Sequence, residues 1–177
     1  MSHSNTLGYR RYLRNLVDSL RGTPTFLGDE DDVPEHFAHG REWEAEARGR
    51  YEFQRDVDVV IPGLLIHSTF PHIGCSPDGL IGNDGGLEIK CHKSIKEFLN
   101  VSRSRKVPSQ YVAQVQGCLW VTGRSWWDFV SFFKNDDAEV VLIEIVRVTP
   151  DPWFHAKLER ACERFWANAN KMARINV

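Results

Sequence analysis

Apolar residues recur along the chain with two periods, and the switches between them outline the elements. Tyr9, Leu13, Leu16, Val17 and Leu20 repeat at helical spacing with arginines between them, which predicts an amphipathic helix over Tyr9 to Leu20. "RGTPTFLGDEDDVP" then breaks the pattern with Gly, Pro and an acidic run and reads as a solvated connection. A second helix is predicted from Pro34 to about Phe53, with Pro34 tolerated in its first turn and Glu35 favourable there. Period two takes over in Leu64 to His67, Ile73 to Ile81 and Leu87 to His92, three predicted strands, the last two joined by the turn signal "GNDGG". Helical spacing returns in Ser94 to Val101 and in Val107 to Thr122, where Tyr111, Val115, Cys118 and Leu119 or Thr122 point inward and Gly123 ends the run. Between these helices "SRSRKVPSQ" is polar and basic, a candidate mobile loop. "SWWDFVSFF" and "EVVLIEIVRV" predict two more strands around an "NDD" turn. Asp151 and Pro152 open a last helix with Trp153, Leu158, Cys162, Phe165, Ala169 and Met172 available for packing. The aromatics Trp153, Phe165 and Trp166 are assigned to the core rather than to a subunit interface.

Two positions break this patterning. In the second helix Phe37, Gly40, Glu44, Ala47 and Tyr51 form the stripe of a buried face, so Glu44 stands where an apolar residue is expected while Glu42 and Glu46 project elsewhere. A carboxylate facing inward is costly without a partner, and a salt bridge to an interior arginine, or a stripe edge that reaches solvent, would account for Glu44 without any site. In "LEIKC", Leu87, Ile89 and Cys91 share one face of a strand and Glu88 and Lys90 the other. If "GNDGG" closes a hairpin, Asp78 falls almost opposite Glu88, with side chains about 5 Å apart. Two carboxylates repel there unless a cation lies between them, and carboxylate oxygens with water select a hard ion such as Mg²⁺ or Mn²⁺ over zinc. Lys90, one pleat beyond, would stand beside the ion's open positions, where it can orient or deprotonate a water or offset developing negative charge. These parts suit phosphodiester hydrolysis. Taken singly, Asp78 in a "PDG" turn and an exposed Glu-x-Lys pair are ordinary surface features. The conjunction with Glu44 is what argues for a site.

Composition sets the frame. A chain of 177 residues with 42% hydrophobic and 26% charged residues is long enough for one domain with a proper core. A net charge of -2 argues against coating nucleic acid by bulk positive charge and leaves only local patches. Cys75, Cys91, Cys118 and Cys162 are widely spaced and no leader pattern precedes them, so reduced thiols and a cytoplasmic location are expected. No apolar run approaches the roughly 18 residues of a membrane span.

The words around these residues carry a resemblance. "CSPDGL", "GLEIKC" and "YVAQVQGCLWVTGRSWW", together with "HGREWEAEA" upstream, resemble the lambda-exonuclease, YqaJ-type branch of the PD-(D/E)xK nuclease superfamily, from His39 to about Trp127. The resemblance implies a restriction-endonuclease-like core of α/β class, of the α+β sandwich type: a mixed, mostly antiparallel central sheet flanked by helices. It implies one nuclease domain over the whole chain, with residues 1–33 as N-terminal helix and acidic linker and 34–177 as catalytic core. By resemblance, Asp78 and Glu88 ligate Mg²⁺ (with Mn²⁺ able to substitute), the backbone carbonyl of Ile89 contributes, Lys90 assists the attacking water, Glu44 is the helix-borne acid, and Gln114 lies near the active site. The implied activity is a Mg²⁺-dependent 5′-3′ exonuclease on double-stranded DNA ends. Its family context is phage recombination, with a single-strand-annealing protein as partner, a trimeric ring, and the bacterial host cytoplasm as location. Arg41, Arg103, Arg105 and Lys106 are the candidate contacts to the DNA backbone. The family's N-terminal phosphate grip, an arginine followed by a Thr-Ala-Ser turn, has no counterpart; Arg10, Arg11, Arg14 and Arg21 read as a polar helix face.

Three alternatives stay in view. An endonuclease of the same fold would cut closed circles. A non-catalytic DNA-binding or recombination module would bind without cutting, although no member of the acid, acid, lysine set is missing. A structural zinc site from His72, Cys75, Cys91 and His92 is disfavoured because neighbouring strand residues such as Cys91 and His92 point to opposite faces.

Overall fold

A computed structural model describes residues 14–19, 21, 35–135 and 137–174, with the backbone alone over residues 35–42. In chain order the elements are α1 (residues 14–19), α2 (Glu35–Arg55), β1 (Val59–Val60), β2 (Leu65–Ile66), β3 (Gly74–Cys75), β4 (Gly79–Ile81), β5 (Gly85–His92), α3 (Ile95–Ser104), α4 (Ser109–Thr122), β6 (Trp126–Lys134), β7 (Val141–Val148) and α5 (Pro152–Arg174). They fall into two compact units, Pro34–His155 and a second made of Met1–Val33 with Ala156–Val177. The acidic linker and the start of the first predicted helix lie outside the described residues. Among those described, no helix is long and apolar enough to cross a membrane.

The larger unit is built on a mixed five-stranded sheet of order β1-β4-β5-β6-β7, flanked by helices, as the fold class requires. Every pairing in it is antiparallel except β5 with β6, which is parallel. A parallel pair needs a long crossover. α3 and α4 supply it. One face of the sheet packs Leu87, Ile89, Val130 and Phe132 against Ala47 and Tyr51 of α2. The other packs Trp127 and Phe129 against Val101 of α3 and Val115, Cys118 and Leu119 of α4. Alternate residues of β5 therefore face different helices, as the period-two pattern predicts.

Several boundaries differ from the sequence reading for identifiable reasons. The run Ile73 to Ile81 is two strands: β3 pairs with β2 in a separate two-stranded sheet, and β4 joins the main one. Pro77, which has no N–H for a ladder, stands between them. β1 escaped notice because two residues carry no periodic signal. The basic stretch taken for a mobile loop is helical to Ser104, and Arg105 caps α3 in the left-handed region at φ 53, its N–H bonded to the Val101 carbonyl. In "GNDGG" only Gly82 has a positive φ, of 51. Gly85 and Gly86 belong to β5, and a Cβ on either would run into the indole of Trp126 or Trp127 on the neighbouring strand. Asp151 caps α5, its Oδ1 accepting from the N–H groups of Trp153 and Phe154. Contrary to the expected packing, Trp153 and Met172 are exposed, at 65% and 44%.

In the smaller unit Val17 and Ala169 are buried, with Leu16, Phe165 and Ala173 around them. Arg21 is spent there, donating to the carbonyls of Met172 (2.6 Å) and Ala173 (3.4 Å) at the end of α5. Arg14 is exposed, and Arg10 and Arg11 lie outside the described residues.

The glycine seats give a paired test. Gly86→Ala is expected to lower the unfolding free energy by about 1–3 kcal/mol or more, because the indole of Trp127 must leave its place. Gly49→Ala, at an exposed position inside α2 with open space around it, should raise it by about 0.5–1 kcal/mol. Urea unfolding of both variants beside the parent checks the pair.

Candidate active site

β4 is three residues long and pairs with β5 only over Gly85 to Leu87. Beyond Leu87 the edge of β5 on that side has no strand neighbour among the described residues. The register Gly79 to Leu87 carries on to set Asp78 across from Glu88. Asp78 occupies the open edge with its side chain: Oδ2 accepts the Ile89 N–H at 2.6 Å, standing in for the missing ladder bond. The N–H and C=O of one strand residue point the same way. The Ile89 carbonyl thus faces the same edge.

Glu88 has no exposed surface. Lys90 Nζ lies 2.5 Å from its Oε1, an ion pair, yet without hydrogen-bond alignment, so both carboxylate oxygens remain unpartnered as acceptors. Burial first, then the charge of Asp78, pushes the Glu88 carboxyl up to about 7, against the pull of Lys90. Asp78 is raised by burial, with the Ile89 N–H, Lys90 and Arg48 opposing. Glu44, on α2, is raised by burial and by Asp78, with Arg48 and Lys90 opposing. Burial would depress the Lys90 ammonium, but Glu88 and Asp78 outweigh it and hold its pKa above the ordinary lysine value. Three acids and one lysine thus share one electrostatic neighbourhood.

The chemistry of this donor set fits a hard divalent ion: carboxylate oxygens, a backbone carbonyl, and a buried carboxylate whose oxygens accept no hydrogen bond. No three His, Cys, Asp or Glu side chains among the described residues are already grouped as they would be around an ion. Asp78 is turned to the backbone, Glu44 to Arg48 and Glu88 to Lys90. The zinc alternative is not assembled, since Cys75 packs on the α4 side of the sheet and Cys91 on the α2 side. All four cysteines are free thiols.

The remaining residues singled out from the sequence are distributed unevenly. Gln114 is exposed on α4, three residues beyond Tyr111, whose ring centroid lies 5.3 Å from Lys90 Nζ. That spacing puts Gln114 on the flank of α4 nearest Lys90. Its neighbour Gln116 is buried and structural, donating to the Thr149 carbonyl and accepting from the Asp151 N–H. Arg103, Arg105 and Lys106 are all exposed, and Arg105 also pairs with Glu144 at 2.5 Å. Arg105 and Lys106 border an open groove of about 590 Å³ between α4 and β7 that contains none of Glu44, Asp78, Glu88 and Lys90. The side chain of Arg41 lies outside the described residues. Two site neighbours were missed in the sequence. Arg48 was signalled only by its spacing of four from Glu44, and Tyr111 was read as pure core.

The raised pKa of Glu88 has a measurable consequence. Between about 4.5 and 7 the folded chain holds a proton that the unfolded chain releases, so this group's stabilising contribution is complete below about 4.5 and lost as pH rises through about 7. In chelator, the urea midpoint of the parent should fall over this window, and Glu88→Gln should flatten that part of the profile.

Comparison with known proteins gives the family and the fold. A family model described as "YqaJ-like viral recombinase domain" matches residues 6–125. Among solved structures, the chain is similar to LHK-Exo, an alkaline exonuclease from Laribacter hongkongensis, with a TM-score of 0.80 and 28% identity over 98% of this chain and 84% of that one. LHK-Exo in complex with dAMP matches at 0.78 and 28%, over 96% and 84%. A phage related exonuclease from Haemophilus somnus 129PT shares the fold at 0.65, with 16% identity over 95% and 82%. No curated protein sequence matches. The chain is thus homologous to an alkaline exonuclease, of a family whose chemistry implies a metal. With the family model spanning 6–125 of 177 residues, the chain belongs to the YqaJ-like viral recombinase domain family.

Proposed function

We propose that the protein is a Mg²⁺-dependent exonuclease that degrades one strand of double-stranded DNA from its 5′ end, with the chain as a single nuclease domain whose core is residues 34–177. The observation that supports this most is Glu88, fully buried with the Lys90 ammonium 2.5 Å from Oε1 as counter-charge and no partner on Oε2, at the register position across from Asp78 on the open edge of β5. The family and the homology to an alkaline exonuclease point the same way. The capture of dAMP by LHK-Exo favours a DNA substrate.

Asp78, Glu88 and the Ile89 carbonyl would hold the ion, with Glu44 completing the acidic side. A divalent cation there lowers the pKa of water and offsets negative charge on the phosphate. Lys90 would orient the attacking water or hand over a proton. Its position over the Tyr111 ring limits where the ammonium can go. Gln114 would touch the substrate at the rim. Arg41, Arg103 and Lys106 are proposed to contact the DNA backbone; Arg105 must first leave Glu144. The phage-recombination role, an annealing-protein partner and a trimeric assembly follow from the family reading.

The test is degradation of linear duplex DNA in Mg²⁺ or Mn²⁺. Lys90→Ala, Asp78→Ala and Glu88→Gln should each lower the rate at least about 100-fold at unchanged fold, and chelation should abolish it. Linear DNA should be consumed while covalently closed circles survive, and, with no counterpart of the family's N-terminal phosphate grip, 5′-phosphate and 5′-hydroxyl ends should be degraded at similar rates. Cutting of closed circles would replace the exonuclease reading with an endonuclease. Binding without cutting across several divalent ions would replace it with a recombination module.

A further inference from the structure

Among the described residues α2 carries two acid-arginine pairs at the same spacing, and they reach the sheet differently: in one the acid, Glu46, bonds Lys134 of β6, and in the other it is the arginine that reaches across. Arg50 is half-exposed and turns both Nε and Nη2 on Glu46 Oε1. Arg48 is 14% exposed in its side chain, and its guanidinium forks: Nη2 meets Glu44 Oε1 at 2.5 Å, while Nε donates to the backbone carbonyl of Asp78 at 3.3 Å. One side chain thus ties the helix-borne acid to the strand-borne acid, across 30 residues of sequence. Its charge also opposes the rise in pKa of both Glu44 and Asp78.

We propose that Arg48 is the positioning residue of this site, a brace that holds Glu44 beside Asp78 and serves as the acid cluster's internal counter-cation when no metal is bound. The inference rests on the reading of these acids as a metal site. Geometry and charge are separable in this role. A planar guanidinium can bond a carboxylate and a carbonyl at once, and a lysine ammonium carries the same charge as a single flexible point. An arginine needed only to stabilise the helix would contribute equally whether or not an ion is present. A counter-cation becomes partly redundant once Mg²⁺ takes over the neutralisation.

Arg48→Gln and Arg48→Lys are compared with the parent by thermal unfolding in chelator and in saturating Mg²⁺, and by steady-state hydrolysis of linear duplex DNA. Arg48→Gln should melt several degrees lower than the parent in chelator and recover most of that loss in Mg²⁺. Arg48→Lys, which keeps the charge, should melt near the parent in both. Both variants should lose about tenfold or more in kcat, because Glu44 is no longer held in place, with KM for DNA unchanged. If Arg48→Gln loses the same number of degrees with and without Mg²⁺, or if both variants keep the parental kcat, the brace is overturned while the metal site stands. If the parent itself shows no Mg²⁺-dependent shift in melting, the metal-site reading falls and takes this inference with it.

Discussion

A carboxylate carried out of water must find a cation or give up its charge, and Glu88 is caught between the two. Lys90 supplies the charge at 2.5 Å without the alignment of a hydrogen bond, and Asp78 beside it works in the opposite sense. The neighbouring structure follows from this tension. Asp78 turns to the Ile89 N–H, Glu44 to Arg48, and Lys90 to Glu88, so each charged group is held by a partner that a divalent ion would make partly dispensable. A fold selected for stability alone gains little from setting Asp78 across from Glu88 and bringing Glu44 of α2 within their electrostatic reach, because carboxylates in one neighbourhood repel.

The topology decides where that edge is. Pro77 ends β3 and delays the start of β4 to Gly79, so β4 covers only the first residues of β5. The stretch from Glu88 to His92 is then supported on one side alone, by the parallel strand β6. Because that pairing is parallel, the chain must cross the sheet between them, and α3 and α4 lie over the face that carries Glu88 and Lys90. Tyr111 reaches Lys90 by this route. α2, anchored on the opposite face through Ala47 and Tyr51, brings Glu44 and Arg48 from the other side. Its anchor is polar as well as apolar: the Tyr51 hydroxyl donates to buried Asp128 at 2.8 Å, and Arg147 closes on both oxygens of the same carboxylate.

The central chemistry was legible in the sequence because it is local. A hairpin register is fixed by a turn of few residues, so Asp78 opposite Glu88 follows from "GNDGG" and strand alternation alone. The helix-borne acid was visible as a charge in an apolar stripe. What stayed hidden depends on partners distant in sequence. Gly85 and Gly86 read as turn residues, yet they are glycines because two indoles forty residues later need their space. Arg48 drew no notice, because only the fold brings the Asp78 carbonyl to it. Arg105 was read as a contact to the DNA backbone, and only the fold shows Glu144 on β7 beside it. The split of Ile73 to Ile81 into two sheets was signalled by Pro77 but outweighed by the apolar run around it.

The balance of charge makes a last connection between site and substrate. The chain carries a net charge of -2, and its cleft concentrates acids, so a polyanion meets repulsion at the place where, on the proposed reading, it must be cut. Arg103, Arg105 and Lys106 are exposed together, with Glu144 paired to Arg105. Contacts between such side chains and phosphate are salt-sensitive. A divalent ion bound there would offset part of that negative charge while Lys90 and Arg48 keep theirs. On the proposed reading the ion would thus serve substrate recognition as well as hydrolysis.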